Sequence, residues 1–201
     1  MTLTAGVIAV QGDVSEHVEA VRRAAATHDR SIEIRRIRSA GVVPACSMLL
    51  LPGGESTTIS GHLARQGIAE EIHDHVAAGK PVLATCAGLI VSARDPKDER
   101  VEPLELVDVS VDRNAFGRQA DSFQAPLAVA GLERPFPAVF IRAPIIDTVG
   151  EEVDVLATWD DRPVAVRDGP VLATSFHPEL TADSRIHDLA FFEDEEPGPD
   201  E

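Results

Sequence analysis

The chain has 201 residues, of which 34 are acidic and 18 basic, giving a formal charge of −16. That length supports one domain, or two small ones, with a full core, and that charge excludes nonspecific affinity for DNA, RNA or anionic lipid, all of them polyanions. Hydrophobic residues make up 44 %, too many for a wholly disordered chain, and no apolar run approaches the ~20 residues of a membrane span.

The start, Met1-Thr2-Leu3-Thr4, has no basic residue ahead of its apolar stretch and does not read as a signal peptide. Cys46 and Cys86 are too few for a disulfide scaffold or a zinc ligand set. A globular protein of the cytoplasm is expected. The charge itself has two readings. Only Lys80 and Lys97 are lysine and there is no tyrosine, which suits a surface adapted to concentrated salt, where screening makes self-repulsion tolerable. An ordinary acidic protein is the alternative.

Residues 3–10 are apolar and end in Gln11-Gly12, a buried strand closed by a turn. Asp13 and Glu16 form a capping-box-like pair that opens a helix carrying Val14, Val18, Val21 and Ala25 at helical spacing. Ile32, Ile34 and Ile37 mark a second strand, and Met48-Leu49-Leu50-Leu51 a third, ended by Pro52-Gly53-Gly54. Ile59, Leu63, Ile68, Ile72 and Val76 predict one or two helices broken near Gly67. Pro81-Val82-Leu83-Ala84 is the next buried strand, followed by Cys86 and a helix from Ala87.

This alternation of helices with fully apolar strands predicts an α/β fold: three layers, a mostly parallel central sheet and helices on both faces. Ligands in such sheets bind beyond the carboxyl ends of the strands. Three loops fall there, at Gln11, at Gly53-Gly54 and at Cys86. Residues 95–100 read as a surface loop. Short β segments follow at 107–111, 122–125, 139–141, 153–157, 164–166 and 171–175, predicting an added antiparallel portion that returns a strand to the sheet. Thr181 and Asp183 are positioned to cap a last helix with Ile186, Leu189 and Ala190 inward. Residues 1–192 are expected to form one domain. Residues 193–201, with six carboxylates, two prolines and a glycine, are expected to be a solvated tail.

Cys86 stands in Ala84-Thr85-Cys86-Ala87-Gly88, between a buried strand and a helix. That is a nucleophile elbow with cysteine in place of serine. The sharp turn exposes the sulfur, and the helix N-terminus aims backbone N–H groups at an anion. A buried structural cysteine is the competing reading. His177 and Glu179, in Ser175-Phe176-His177-Pro178-Glu179, lie two apart in an extended segment and project to one side. The carboxylate can hold one ring nitrogen while the other faces a nucleophile.

Pro52-Gly53-Gly54-Glu55-Ser56 offers either backbone N–H groups to an oxyanion or a plain turn into a helix capped by Ser56. Arg113 and Arg142 are carboxylate clamps or surface ion pairs. Cys46 reads as core. The remaining histidines, His17 among them, show no ligand spacing, so no metal site is assigned.

Together the elbow, the Gly-Gly loop and the late His-Pro-Glu resemble a class I glutamine amidotransferase. Gly117-Arg118-Gln119, Asp121-Ser122-Phe123 and Phe140-Ile141-Arg142-Ala143-Pro144 narrow the resemblance to the glutaminase-subunit family of pyridoxal 5′-phosphate synthases, over nearly the whole chain. The resemblance implies a Cys86–His177–Glu179 triad that hydrolyses L-glutamine. It implies glutamine binding by Gly54, Glu55, Ser56, Arg113, Ile141 and Arg142, and an oxyanion hole from the backbone N–H groups of Gly54 and Ala87. Gln11 corresponds to an interface residue that helps order that hole. No cofactor is expected on this chain. The implied partner is a separate lyase subunit of the synthase, in a hetero-oligomeric complex, which takes the ammonia. Ala84 departs from the family's usual glycine, and Asp13 from the small residues common after Gln11-Gly12. Two alternatives stay open: a glutaminase of another pathway such as histidine biosynthesis, and a non-catalytic cysteine redox or stress protein on the same fold.

Overall fold

The computed structural model describes residues 3–113 and 122–192. The acidic tail and the motif residues Asn114 to Asp121 lie outside the described residues.

Five strands and four helices fill the first half: β1 (Leu3–Ile8), α1 (Val14–Thr27), β2 (Ile32–Ile37), β3 (Met48–Leu51), α2 (Ser56–Arg65), α3 (Ile68–Ala77), β4 (Val82–Thr85), α4 (Ala87–Ser92) and β5 (Ala93–Asp95). The second half is β-rich: β6 (Val107–Asp112), β7 (Phe123–Leu127), β8 (Phe136–Phe140), β9 (Ile145–Val149), β10 (Asp154–Trp159), β11 (Arg162–Asp168), β12 (Val171–Thr174) and a last helix, α5 (Arg185–Phe191).

Seven strands form the main sheet in the order β10-β11-β12-β4-β3-β1-β2. The five from β12 to β2 run parallel, and β10 and β11 add an antiparallel extension. The expected architecture is therefore the observed one, a mostly parallel sheet with helices on both faces and a returned strand, β12, beside β4. Alternation along the buried strands divides the core. Leu49, Leu51, Val82 and Ala84 pack with Ile59, Leu63, Ile68 and Ile72 of α2 and α3 on one face. Met48 and Leu50 pack with Val18, Val21 and Ala24 of α1 on the other. Leu83 joins that second face further along, with Phe136, Phe140, Phe176, Ile186 and Leu189. Ala84, in place of the family's glycine, is fully buried, so its methyl is accommodated in the core.

Several local expectations change. Asp13 precedes α1 but makes no side-chain capping bond. Glu55, not Ser56, caps α2, accepting the Thr58 N–H at 2.9 Å, while Ser56 becomes the first helical residue. The last helix starts after Ser184, and Asp183 accepts the Arg185 N–H at 3.1 Å from just ahead of it. Ala190 is only half-buried. Strand β8 begins three residues before the predicted segment. Its Pro137 lies opposite Pro126 of β7 in a two-stranded hairpin, a setting that spares the missing donors. Strands β5 and β9 were not expected. Asp95 and Asp147 break up their short apolar runs, and both strands are specified by pairing with β6.

Among the described residues, no helix is long and apolar enough to cross a membrane. The charge of −16 on a compact chain is self-repulsive at low ionic strength. Raising KCl from ~0.1 M to ~2 M shortens the Debye length several-fold, so the midpoint of thermal unfolding rises over that range. Calorimetry or circular dichroism in a salt series checks this, and a flat response would remove screening as the explanation of the composition.

Candidate active site

Four loops at the carboxyl edge of the parallel sheet meet at one place: those after β1, β3, β4 and β12. Cys86 follows β4 directly and has φ 50° and ψ −105°, in the positive-φ region disfavoured for side-chain-bearing residues. Its N–H is tied to Thr174 O of β12 at 2.8 Å. The tight entry into α4 also requires glycine two residues on, because a Cβ at Gly88 would lie 2.1 Å from the Leu51 carbonyl oxygen. The strain and the close approach together turn the sulfur outward, as an elbow does.

His177 is set by its N–H bond to Val139 O, 2.8 Å. Its ring shares the cavity with Cys86, and its Nδ1 lies 2.7 Å from Glu179 Oε1. Both His177 and Glu179 are buried. Burial opposes a charged ring at His177, but hydrogen bonds to Cys86 and Glu179 outweigh it, and the imidazolium is held up to about 10. Glu179 is raised by burial, with the His177 contact working against the rise. Cys86 and His177 are therefore brought to one cavity, with Glu179 bonded to the His177 ring.

A cavity of about 590 Å³ opens over the sulfur. Gln11, Gly54, Glu55, Ser56, Cys86, Ala87, Arg113, Ile141, Arg142 and His177 all line it, so every expected site residue except the buried Glu179 faces one space. Gly53 runs beside the dyad: a Cβ there would stand 2.7 Å from His177 Cε1 and 3.5 Å from Cys86 Cβ. Gln11 Oε1 accepts the Glu55 N–H at 3.1 Å and so ties the first loop to the second.

The polar lining divides by commitment. Glu55 spends its carboxylate on the hydroxyls of Thr57 and Thr58 and the Thr58 N–H, which, led by the Thr57 bond, hold it down to about 2. Arg113 pairs with Asp98 at 2.8 Å and with Glu55 at 3.5 Å. The ion-pair reading of Arg113 therefore holds even though the residue also borders the cavity. Arg142 is exposed, sits at φ 44° and has no ion partner among the described residues. Ser56 Oγ is buried without a hydrogen-bond partner among the described residues.

Two residues near His177 and Glu179 escaped the sequence reading. Asp13 Oδ2 lies 3.5 Å from His177 Nδ1, because the carboxylate left free by the missing cap faces the cavity. His17, fully buried on α1, lies 3.4 Å from Glu179 Oε2. No spacing signal links positions so far apart in the chain. Asp13, His177 and Glu179 are close enough to offer donor atoms to one ion, but His177 Nδ1 and Glu179 Oε1 are already bonded to each other, which leaves that set poorly suited to a metal. Cys46 is buried in the core away from the cavity, its Sγ donating to Val42 O.

An elbow cysteine, a buried histidine–carboxylate pair and a cavity at the carboxyl edge of a parallel sheet define a glutamine amidotransferase fold with a cysteine site. The chain belongs to the SNO glutamine amidotransferase family, whose model matches residues 7–195. It is 74 % identical over 193 residues to the pyridoxal 5′-phosphate synthase subunit PdxT of Haloarcula marismortui, covering 96 % of this chain and 98 % of that one. It is 70 % identical over 193 residues to the subunit of the same name from Halobacterium salinarum, covering 96 % and 95 %. Both are halophilic archaea, the setting to which the acidic composition points. A solved glutamine amidotransferase superposes with a TM-score of 0.84 at 43 % identity, covering 92 % of this chain and 96 % of that one.

The histidines behind the site set an acid limit on stability. Burial holds His17 and His187 uncharged, with His17 well below its ordinary value and His187 at about 3. Unfolding frees both to protonate near 6.5. Their lowered folded values mean that stability is fully present above pH 6.5 and falls below it, by up to ~1.4 kcal/mol per pH unit for each ring. The raised His177 works the other way: its contribution grows as pH falls from about 10 and is complete only below 6.5, so it offsets part of the drop at the upper end of that window. The urea midpoint therefore drops between pH 7 and pH 5, and His187→Phe flattens the drop.

Proposed function

We propose that the chain hydrolyses L-glutamine to L-glutamate and ammonia at Cys86 and passes the ammonia to a lyase subunit for pyridoxal 5′-phosphate synthesis. The observation that carries this reading is that Cys86 and His177 line one cavity large enough for an amino acid, with the buried Glu179 bonded to the His177 ring behind it. Its support from relatives is the name pyridoxal 5′-phosphate synthase subunit, borne by chains at 70–74 % identity.

In this reading Cys86 Sγ attacks the side-chain amide carbon of glutamine. The His177 imidazolium gives its proton to the departing nitrogen, and ammonia leaves a thioester. His177, now neutral, takes a proton from water, which adds to the thioester and releases glutamate and the sulfur. Glu179 orients the ring and stabilises its cation. The N–H groups of Gly54 and Ala87 receive the oxyanion, each donor lowering the barrier by ~3 kcal/mol. Ala87 suits this role as the first residue of α4, whose leading N–H groups have no partner within the helix. Ser56 Oγ and the guanidinium of Arg142, neither with a partner among the described residues, are suited to bind the α-amino and α-carboxylate ends of the substrate. Arg113 and Glu55 shape the wall through their mutual pair, and Ile141 supplies an apolar side.

Cys86→Ala abolishes glutamate release while leaving the melting midpoint near wild type, because the change is small and lies at a turn. A glutamine-like electrophile labels Cys86 and spares the buried Cys46. Equal labelling of both thiols, or activity surviving in the alanine variant, would sink the assignment.

Ammonia made without a receiver is lost, so hydrolysis should be coupled to docking. The Gln11–Glu55 bond is the element that can carry the coupling, since it joins an edge loop to the backbone beside Gly54. Steady-state kinetics with and without the lyase subunit will show kcat rising on docking more than KM falls. Gln11→Ala cuts that activation more than the basal rate. A free chain as fast as the complex would mean that the oxyanion hole needs no partner.

A further inference from the structure

The triad leaves one buried atom unanswered. Glu179 Oε1 faces His177, but Oε2 is buried and has no hydrogen-bond partner of ordinary geometry among the described residues. The group standing against it is His17 Nε2 at 3.4 Å, at the outer edge of hydrogen-bond distance. The same nitrogen lies 3.0 Å from Thr85 Oγ1, on the residue just before Cys86. On the far side, His17 Nδ1 lies 3.4 Å from Nε2 of His187 on α5, with the two rings tilted at 59°. Both rings are fully buried.

A neutral imidazole carries one N–H and one lone pair, so the row of contacts can run in two directions. In the first, His187 Nε2–H donates to His17 Nδ1. The His17 proton then sits on Nε2, the nitrogen that lies 3.0 Å from Thr85 Oγ1 and 3.4 Å from Glu179 Oε2. In the second, the lone pair of His17 Nε2 opposes a carboxylate oxygen, and the His187 proton sits on Nδ1, an atom with no partner among the described residues. A buried orphan N–H and a lone pair against a carboxylate are both costly, so the first direction is the stable one.

We propose that His17, oriented by His187, is a positioning residue of the triad: its Nε2–H holds Glu179 Oε2 and keeps Oε1 turned to His177. Because neither ring is charged, the donor braces the carboxylate without cancelling the charge that the His177 cation needs. The other titratable or charged groups facing this row are Cys86 and Asp13 at His177, and Arg23 beside His187. The inference rests on the triad reading and adds to it a support drawn from α1 and α5, two helices that contribute nothing else to the cavity chemistry.

The test uses the full chain with ¹⁵N-labelled histidine. The low-field Nδ1 proton of His177 and the pH midpoint of its ring are read by NMR without glutamine, and kcat and KM are then measured with the lyase subunit. His17→Leu fills the space without a donor, and the stranded carboxylate takes up a proton or turns away. The low-field signal is then lost, the His177 midpoint falls by about one pH unit or more, and kcat drops on the order of tenfold or more with little change in KM. His17→Gln, which keeps an N–H donor, retains the signal and most of kcat. A folded His17→Leu variant with the wild-type midpoint and kcat overturns the proposal. If His17→Leu does not fold, His187→Phe carries the test by removing the proton that sets the His17 tautomer, and an unchanged His177 midpoint there overturns it as well. Since the midpoint is read on the resting chain, a wild-type protein that fails to hydrolyse glutamine would sink the glutaminase reading and leave this result standing on its own.

Discussion

A single residue, Cys86, separates the end of β4 from the start of α4, and the chemistry of the site depends on that turn being held. A residue other than glycine at Cys86's φ of 50° costs ~1–3 kcal/mol. The cost is met locally. Val82, Leu83 and Ala84 are fully buried between β3 and β12, and each of the two larger side chains stabilises the fold by ~1.5–3 kcal/mol. The Cys86 N–H is bonded into β12, and Gly88 lets α4 close onto Leu51. Strain is therefore kept at one residue because the strand before it and the helix after it cannot move.

The charges of the molecule fall into two populations that respond differently to solvent. Pairs such as Arg113 with Asp98 and Glu55 border water and contribute ~0–1 kcal/mol each, less in concentrated salt. Their value is geometric, since they fix the wall of the cavity. His177 and Glu179 are buried, and salt does not reach between them. A surface of high negative charge can thus be tuned to its ionic surroundings while the imidazole and carboxylate keep their relation. The halophilic relatives combine the same family assignment with that kind of setting.

The sheet edge also explains why loops so far apart in the chain act together. Parallel strands in one sheet end on one side, so the loops after β1, β3, β4 and β12 have to meet there. Gln11 touching Glu55 and Gly53 passing beside both Cys86 and His177 are consequences of that topology. The loop from β8 brings Ile141 and Arg142 over the same edge through a separate hairpin, with Arg142 at positive φ where the strand ends.

Much of this was legible in the residues. Unbroken apolar runs such as Met48–Leu51 could only be doubly buried strands, and Gly67 stood where two helices had to part. Cys86 between a strand and a helix, and His177 two residues from Glu179, are local patterns whose geometry follows from backbone periods of two and 3.6. What could not be read was any relation between distant segments that leaves no local mark. Asp13 looked like a helix cap, but the fold set a buried imidazole within reach of its carboxylate, and its side chain makes no bond to the helix. Arg113 was open between clamp and ion pair until Asp98 was placed beside it. Strand β9 had no signal of its own because pairing with β6 specifies it. His17 carried no pattern, since its meaning comes from Glu179 and His187, which only packing of α1 against α5 and the sheet brings into contact. The sequence alone determined which segments fold and which side chains could react, because those depend on neighbours along the chain. The tertiary structure decided which polar atoms are answered and by whom, because burial removes water as the default partner and leaves the choice to whatever the fold has placed nearby.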